Sequence, residues 1–322
     1  MSDPHVDPEL QPALGVLPPF TLTEENLPQF RAGVSEILPA PESYARPGVT
    51  IEEHRASGLN GAPDVRFFLY RPAHGVGPMP VLLFIHGGGY VLGVVEGNHA
   101  GCVRTADELG CIVASVDYRL APETRAPGQI EDGYAVLAVL HQQAEAWGID
   151  TDRIAVGGES AGGGLAAALA LMVRDRGEYR FCFQQLIYPM IDDRTCTRAD
   201  ICESVGQHVW TADANRFGWR ALLGQEPGAQ EVSPYAAAAR ADDLSGLPPT
   251  YISVGALDLF LDENIDYARR LMRARVPVEL HVFPRAYHGY EMNQTADTAI
   301  RSEAERRHAL ARAFAGDVTA AG

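Results

Sequence analysis

Short apolar runs alternate with longer amphipathic ones along most of the chain. From about residue 49, eight stretches have the spacing of strands: Val49–His54, Val65–Tyr70, Val81–His86, Ile112–Asp117, Ile154–Gly158, Gln184–Tyr188, Thr250–Val254 and Val278–Phe283. From the third onward each is a continuous apolar run, the mark of strands covered on both faces of a parallel sheet. Helix-period stretches lie between them, among them Gln129–Ala146, Gly164–Arg174 and Glu263–Arg275. Strands alternating with helices predict an open α/β sheet with right-handed crossovers.

Two segments leave this rhythm. Residues 1–47 hold nine of the 22 prolines, interleaved with short helix-compatible pieces such as Glu24–Leu38. They predict an arm of small helices outside the sheet. Residues 190–232 are polar loop sequence around a helix-compatible piece, Ala212–Leu223. An insertion of this length in a compact domain is commonly a lid or a binding element. The arm's apolar residues (Leu10, Leu14, Leu17, Phe20, Leu27, Phe30, Leu38) need a surface, which Trp210, Phe217 and Trp219 of the insertion offer. Those three aromatics read equally as cap core or as substrate wall. The expected organisation is an arm at 1–47, a core at 48–189, a cap insertion at 190–232 and the rest of the core at 233–322.

Composition narrows the function. A chain of 322 residues, 46% hydrophobic and 21% charged, is an ordinary globular protein able to bury a large core. Disorder, collagen and small disulfide scaffolds are excluded. Asp and Glu number 42 against 26 basic residues, a net charge of −16, and every basic residue is Arg. Such a surface repels phosphate backbones and anionic lipid, so neither nucleic acid nor membrane is expected as a partner. With no Lys there is no Schiff-base chemistry and no P-loop of the GK[ST] kind. The five cysteines (102, 111, 182, 196 and 202) form no C-x-x-C pair and read as thiols in a reducing compartment. The first residues show neither a basic nor an apolar leader, and the longest apolar run, Leu165–Val173, is far short of a membrane span. A soluble cytoplasmic protein is expected.

Candidate chemistry begins at Gly158-Glu159-Ser160-Ala161-Gly162, a G-x-S-x-G element between a strand and a helix start. A serine on such a tight turn projects its Oγ into a cleft, and small flanking residues are needed because the following helix packs closely. Ser160 is the candidate nucleophile. His86-Gly87-Gly88-Gly89 follows the third strand, and three glycines let the backbone aim N–H groups at a developing oxyanion. The N–H of Ala161 is the matching donor from the serine side. His86 itself reads as a loop anchor.

A serine of this kind needs a base, and the base an orienting carboxylate, in the chain order Ser, acid, His. His208 lies in the insertion, His281 inside a strand and His308 in a charged helix; His288 alone follows a strand in a loop able to reach Ser160. For the acid, Asp258 hangs past the strand Thr250–Val254, while Asp192 and Asp193, also past a strand, are rivals. Asp262 and Glu263 read as first-turn helix residues complementing the dipole.

These segments, with Asp117-Tyr118-Arg119-Leu120-Ala121-Pro122-Glu123 and Tyr287-His288-Gly289-Tyr290, resemble the hormone-sensitive-lipase-like (bacterial family IV) esterases of the α/β-hydrolase fold. Arg119 and Glu123 read as braces of their loop rather than substrate contacts. The sequence departs from the pattern at Glu159, usually Asp in one large subgroup, and at Asp258-Leu259-Phe260-Leu261-Asp262-Glu263, which often reads D-P-L-R-D-E. The resemblance implies a mostly parallel eight-stranded sheet flanked by helices, and a cap made of the arm and the insertion. It implies carboxylic-ester hydrolysis without a cofactor or metal, a catalytic set of Ser160, Asp258 and His288, and oxyanion donors at Gly88, Gly89 and Ala161, with Gly87 shaping the turn. The expected partner is a small ester, and a homodimer stays open. Lactones, carbamates or amides are the alternative substrates. A silent small-ligand receptor is disfavoured by the presence of His288.

Overall fold

Eight strands form a single sheet: β1 (Val49–Ala56), β2 (Val65–Pro72), β3 (Met79–Ile85), β4 (Ile112–Val116), β5 (Ile149–Glu159), β6 (Phe183–Ile187), β7 (Thr250–Gly255) and β8 (Val278–Phe283). The computed structural model describes residues 3–14, 21–36, 38, 40–75, 77–199 and 201–317. Strand order is β1-β2-β4-β3-β5-β6-β7-β8, with β2 antiparallel to both its neighbours and every other pair parallel. Among the described residues, the helices of ten residues or more are α1 (Leu27–Glu36), α2 (His99–Leu109), α3 (Gly128–Gln142), α4 (Ala161–Arg176), α5 (Ala212–Leu223), α6 (Leu261–Arg273) and α7 (Asp297–Ala315).

The period-two alternation of the strands divides the core. Val81, Leu83 and Ile85 of β3 join one apolar cluster with Ile130, Leu169 and Leu271 of α3, α4 and α6. Leu82 points the other way, into a cluster with Val103 of α2 and Leu310 and Phe314 of α7. The sheet is thus covered on both faces, as continuous apolar strands require. One strand departs from the expectation. β8 is largely half-exposed, with Val282 at 42%, because the strand order leaves it at the sheet edge. The expected helix Gln129–Ala146 also breaks at Gln143, and a separate turn, Ala144–Trp147, follows. All five cysteines are free, and Cys102, Cys111 and Cys196 are buried. No described helix is long and apolar enough to cross a membrane.

The N-terminal segment docks in two places instead of one. Leu22 and Leu27 enter the α4-side core that also holds Trp210 and Trp219, and the Arg31 side chain donates to the carbonyls of Val91 (2.8 Å) and Ala121 (2.7 Å). Val6 and Leu10, by contrast, are fully buried in the α7-side cluster beside Phe283 and Tyr287, with Leu14 packed against it. Leu10 and Leu14 therefore lie on a different cluster from Trp210 and Trp219, one that Val209 of the insertion also packs against. Backbone pairing decides this: Asp7 N donates to Arg285 O (3.0 Å), and Tyr287 Oη donates to Leu10 O (3.0 Å). Leu17 and Phe20 lie outside the described residues.

Candidate active site

β5 ends at Glu159, and Ser160 follows with φ 55° and ψ −122° before α4 begins at Ala161. That conformation is rare for a residue with a side chain, and it tips Oγ off the carboxyl edge of the sheet. The two flanking glycines permit it. A Cβ on Gly162 would lie 2.1 Å from Ile85 O, and one on Gly158 2.4 Å from the Gly162 carbonyl carbon. The turn is closed by Ser160 N donating to Ile187 O (2.9 Å) and by Ser160 O accepting from Gly164 N and Met190 N (both 3.0 Å).

His288 Nε2 lies 2.9 Å from Ser160 Oγ, and His288 Nδ1 lies 2.8 Å from Asp258 Oδ2. Asp258 Oδ1 accepts from Phe260 N (2.9 Å), which fixes the carboxylate against rotation. The carboxylate is fully buried, and Ser160 and His288 are only 7% and 5% exposed. Aromatic edges fence the imidazole: Tyr188 at 4.7 Å and Phe260 at 5.1 Å, both edge-on, and Trp210 at 6.5 Å. On the opposite side of Ser160 runs the glycine loop, where a Cβ on Gly87 would lie 3.4 Å from Ser160 Cβ. Gly88 and Gly89 have φ of 123° and 60°, backbone open to glycine, and Ala161 opens α4, where the first amides of a helix have no intrahelical acceptor.

The structure brings together Ser160, His288 and Asp258, and it separates the rivals from them. Asp193 is buried in a two-point ion pair with Arg240 (2.7 and 2.8 Å) and accepts from Gly228 N. Asp192 pairs with Arg194 (2.7 Å), His281 with Glu279 (2.8 Å) and His208 with Asp3 (2.8 Å). His86 is buried, stacks on Tyr118 at 4.4 Å and contacts Gly87 O, and burial holds its pKa below the ordinary value. Arg119 grips Asp132 through several hydrogen bonds, bracing the loop as expected, whereas Glu123 ties to Arg31 of the arm. Glu263 falls in the first turn of α6 as expected, but it is buried and accepts from Ile191 N (2.8 Å), Asp192 N (3.3 Å) and Thr195 Oγ, pinning the chain that leaves β6.

Sequence reasoning missed the surroundings of the imidazole. Tyr188 follows β6 directly, with φ 35°, and its position at a strand's carboxyl end was the available signal. Behind it lies a charged group next to Ser160, in which Arg306 donates to Glu159 (2.7 Å). The buried carboxyl of Glu291 nearby is pushed up to about 7, chiefly by desolvation, with the Arg306 charge opposing.

A serine held at a strained strand-to-helix turn of this sheet defines an α/β hydrolase. A family model described as the alpha/beta hydrolase fold matches residues 82–292. The chain is 35% identical over 295 residues to Carboxylesterase NlhH of Mycobacterium tuberculosis, covering 89% of each. A solved bacterial heroin esterase superposes with a TM-score of 0.90 at 44% identity, over 97% of this chain and 98% of that one. Esterase LipW from Mycobacterium marinum gives 0.86 at 35% identity, over 96% of each chain. The chain belongs to the α/β-hydrolase-fold family, in its hormone-sensitive-lipase-like (bacterial family IV) branch of esterases.

Proposed function

We propose that the protein is a serine carboxylesterase acting on short- to medium-chain esters. The observation that carries the reading is the unbroken hydrogen-bonded run Asp258–His288–Ser160 in a nearly closed, aromatic-walled site. Ser160 Oγ attacks the ester carbonyl carbon as His288 Nε2 takes its proton, and Asp258 fixes the Nδ1–H tautomer and stabilises the imidazolium. The amides of Gly88, Gly89 and Ala161 hold the tetrahedral oxyanion. Its collapse breaks the ester C–O bond, and the proton on Nε2 passes to the leaving alkoxide. Water, deprotonated by His288, then attacks the acyl-enzyme carbonyl, the C–Oγ bond breaks, and Nε2 returns the proton to Ser160 Oγ as the acid leaves.

The segments 1–47 and 190–232 act in this reading as a cap over the core formed by 48–189 and 233–322. In support, α5 lies against the glycine loop, since a Cβ on Gly218 would be 2.6 Å from Gly89 O, and Leu22 and Leu27 share a core with Trp219. Covering the site excludes water and strengthens the oxyanion interaction. The test is a panel of aryl esters of about two to sixteen acyl carbons run beside lactones and anilides, with Ser160→Ala as the control. Hydrolysis of short esters, abolished in the variant, is expected. Turnover confined to lactones or anilides overturns the carboxylesterase reading.

A further inference from the structure

α7 braces the two segments that carry the reacting groups. Glu159 is the last residue of β5 and the neighbour of Ser160, and Arg306 Nη1 of α7 donates to its Oε1 (2.7 Å). Both side chains are largely buried, at 23% and 15% exposure. Arg306 Nη2 is held by Glu303. One turn earlier on the same face of α7, the fully buried Ser302 lies 2.7 Å from Tyr290 Oη and donates to Glu291 Oε1 (3.3 Å). Glu291 stands three residues beyond His288, in the turn Tyr290–Met292. Its other oxygen, Oε2, is buried without a hydrogen-bond partner among the described residues, and the Arg306 charge draws this carboxyl toward its ionised form. Tyr188, whose ring meets the imidazole edge-on, borders the same cleft as Glu159, Glu291 and Arg306. The helix is fixed to the sheet at this point, since Gln185 Nε2 of β6 donates to Arg306 O (2.7 Å).

We propose that Arg306 is a positioning residue that holds the Ser160 turn against the His288 loop, joined to the first through Glu159 and facing the second at Glu291. The inference rests on the esterase reading. Ser160 sits at φ 55° and ψ −122°, a conformation that lasts only where its surroundings impose it. Of the two residues flanking Ser160, only Glu159 has a side chain long enough to be gripped. The His288 loop reaches the same helix through Tyr290 and Glu291. A guanidinium fork between the two carboxylates couples the positions of both segments. With them it sets the 2.9 Å approach of His288 Nε2 to Ser160 Oγ. Glu159 needs its full length for this. Aspartate, shorter by one methylene or about 1.5 Å, would leave a gap that only a shift of the turn or of α7 could close. Arg306 acts through these two carboxylates and not on substrate.

The test is steady-state kinetics on p-nitrophenyl esters, beside melting temperature, for wild type, Arg306→Lys, Arg306→Gln, Glu159→Asp, Glu159→Gln and the double variant Glu159→Gln/Arg306→Gln. Arg306→Gln should lower kcat about a hundredfold with KM within about twofold, because misplacing reacting groups by about 1 Å costs that much. Arg306→Lys keeps the charge without the fork and should recover part of the loss. Glu159→Asp should lower kcat about tenfold, more than Glu159→Gln, since the clamp needs reach before charge. The double variant should be no worse than Arg306→Gln alone, because both changes open one clamp. The rate at which diethyl p-nitrophenyl phosphate blocks Ser160 should fall in the same order, a readout of nucleophile activation that a loss of stability alone does not move. Should Arg306→Gln fail to fold, the two Glu159 variants decide. Folded variants with unchanged kcat, a loss carried by KM, or Glu159→Gln falling below Glu159→Asp overturn the assignment. A wild type without turnover of any of the esters overturns the esterase reading and this inference with it, whereas an active wild type with unmoved variants overturns the inference alone.

Discussion

Ser160, His288 and Asp258 act as one unit in the proposed reaction, and their substitutions should show it. Ser160→Ala and His288→Ala should each lower ester turnover on the order of 10⁴-fold, with the double variant scarcely worse, as steady-state kinetics will read. Asp258→Asn should cost roughly 10³- to 10⁴-fold in kcat with the fold intact, by favouring the wrong imidazole tautomer. Asp193→Asn should do the opposite. Its partner Arg240 is only 13% exposed, so weakening that pair lowers stability by about 3–5 kcal/mol if the charge is left uncompensated, with little direct effect on chemistry. Denaturant unfolding beside kinetics separates the two roles. Glu291 gives a pH signature. Its carboxyl is raised from 4.5 to about 7 in the folded protein, so its contribution to stability is full below 4.5 and is lost as pH rises through about 7. Glu291→Gln removes that loss. The melting temperature of the variant should gain on wild type between about pH 4.5 and 7 and level off above that.

Among the elements, α5 is where propensity and packing conflict. Gly218 sits inside the helix, and replacing such a glycine by alanine ordinarily favours a helix by about 1 kcal/mol. Here the added Cβ would meet Gly89 O at 2.6 Å, a backbone atom of the glycine loop. Gly218→Ala should therefore push the helix off that loop and reduce kcat by at least about tenfold despite the better helix former, because small misplacements near reacting groups are costly. Kinetics together with far-ultraviolet circular dichroism would show activity falling while helix content holds. Legibility from sequence follows the same division between local and long-range causes. The eight strands and α5 were readable because apolar periodicity and turn residues act locally; the placement of Ser160 was readable because it directly follows a strand, and that of His288 because it lies in the short loop after one. The edge position of β8 was not, since it depends on strand order. The burial of Glu263 was hidden too, because an acidic residue in a first helical turn looks the same whether it faces water or a buried loop. Asp258 and Asp193 have equivalent settings in sequence, and only their distant partners, His288 for one and Arg240 for the other, tell them apart.

At the scale of the whole molecule, the N-terminal segment joins parts that are remote in sequence. Its proline-rich composition suggested one arm outside the sheet, but Val6 and Leu10 seal the α7-side core while Leu22 and Leu27 enter the other. Which surface each piece covers is set by Arg285, Tyr287 and Arg31 contacts that no local pattern announces. Deleting residues 1–14 should uncover Phe283 and Tyr287, release the loop that carries His288, and lower both the melting temperature and kcat. Calorimetry and ester kinetics on the truncated chain check this, and unchanged kcat would mean that the loop holds its own shape.

The same docking decides how the protein should be handled. Asp3, Asp7 and Leu10 are tied to the segment that presents His288, so an affinity tag or surface tether fused at the amino end would pull on the catalytic edge of the sheet. The last turn of α7 is elsewhere. Phe314 and Ala315 border a depression with Met79 and Gly110, at the edge where β3 and β4 begin and Ser160 does not lie. Anchoring an immobilised catalyst through its carboxyl end therefore leaves the mouth of the site facing the medium and the amino-terminal latch unloaded.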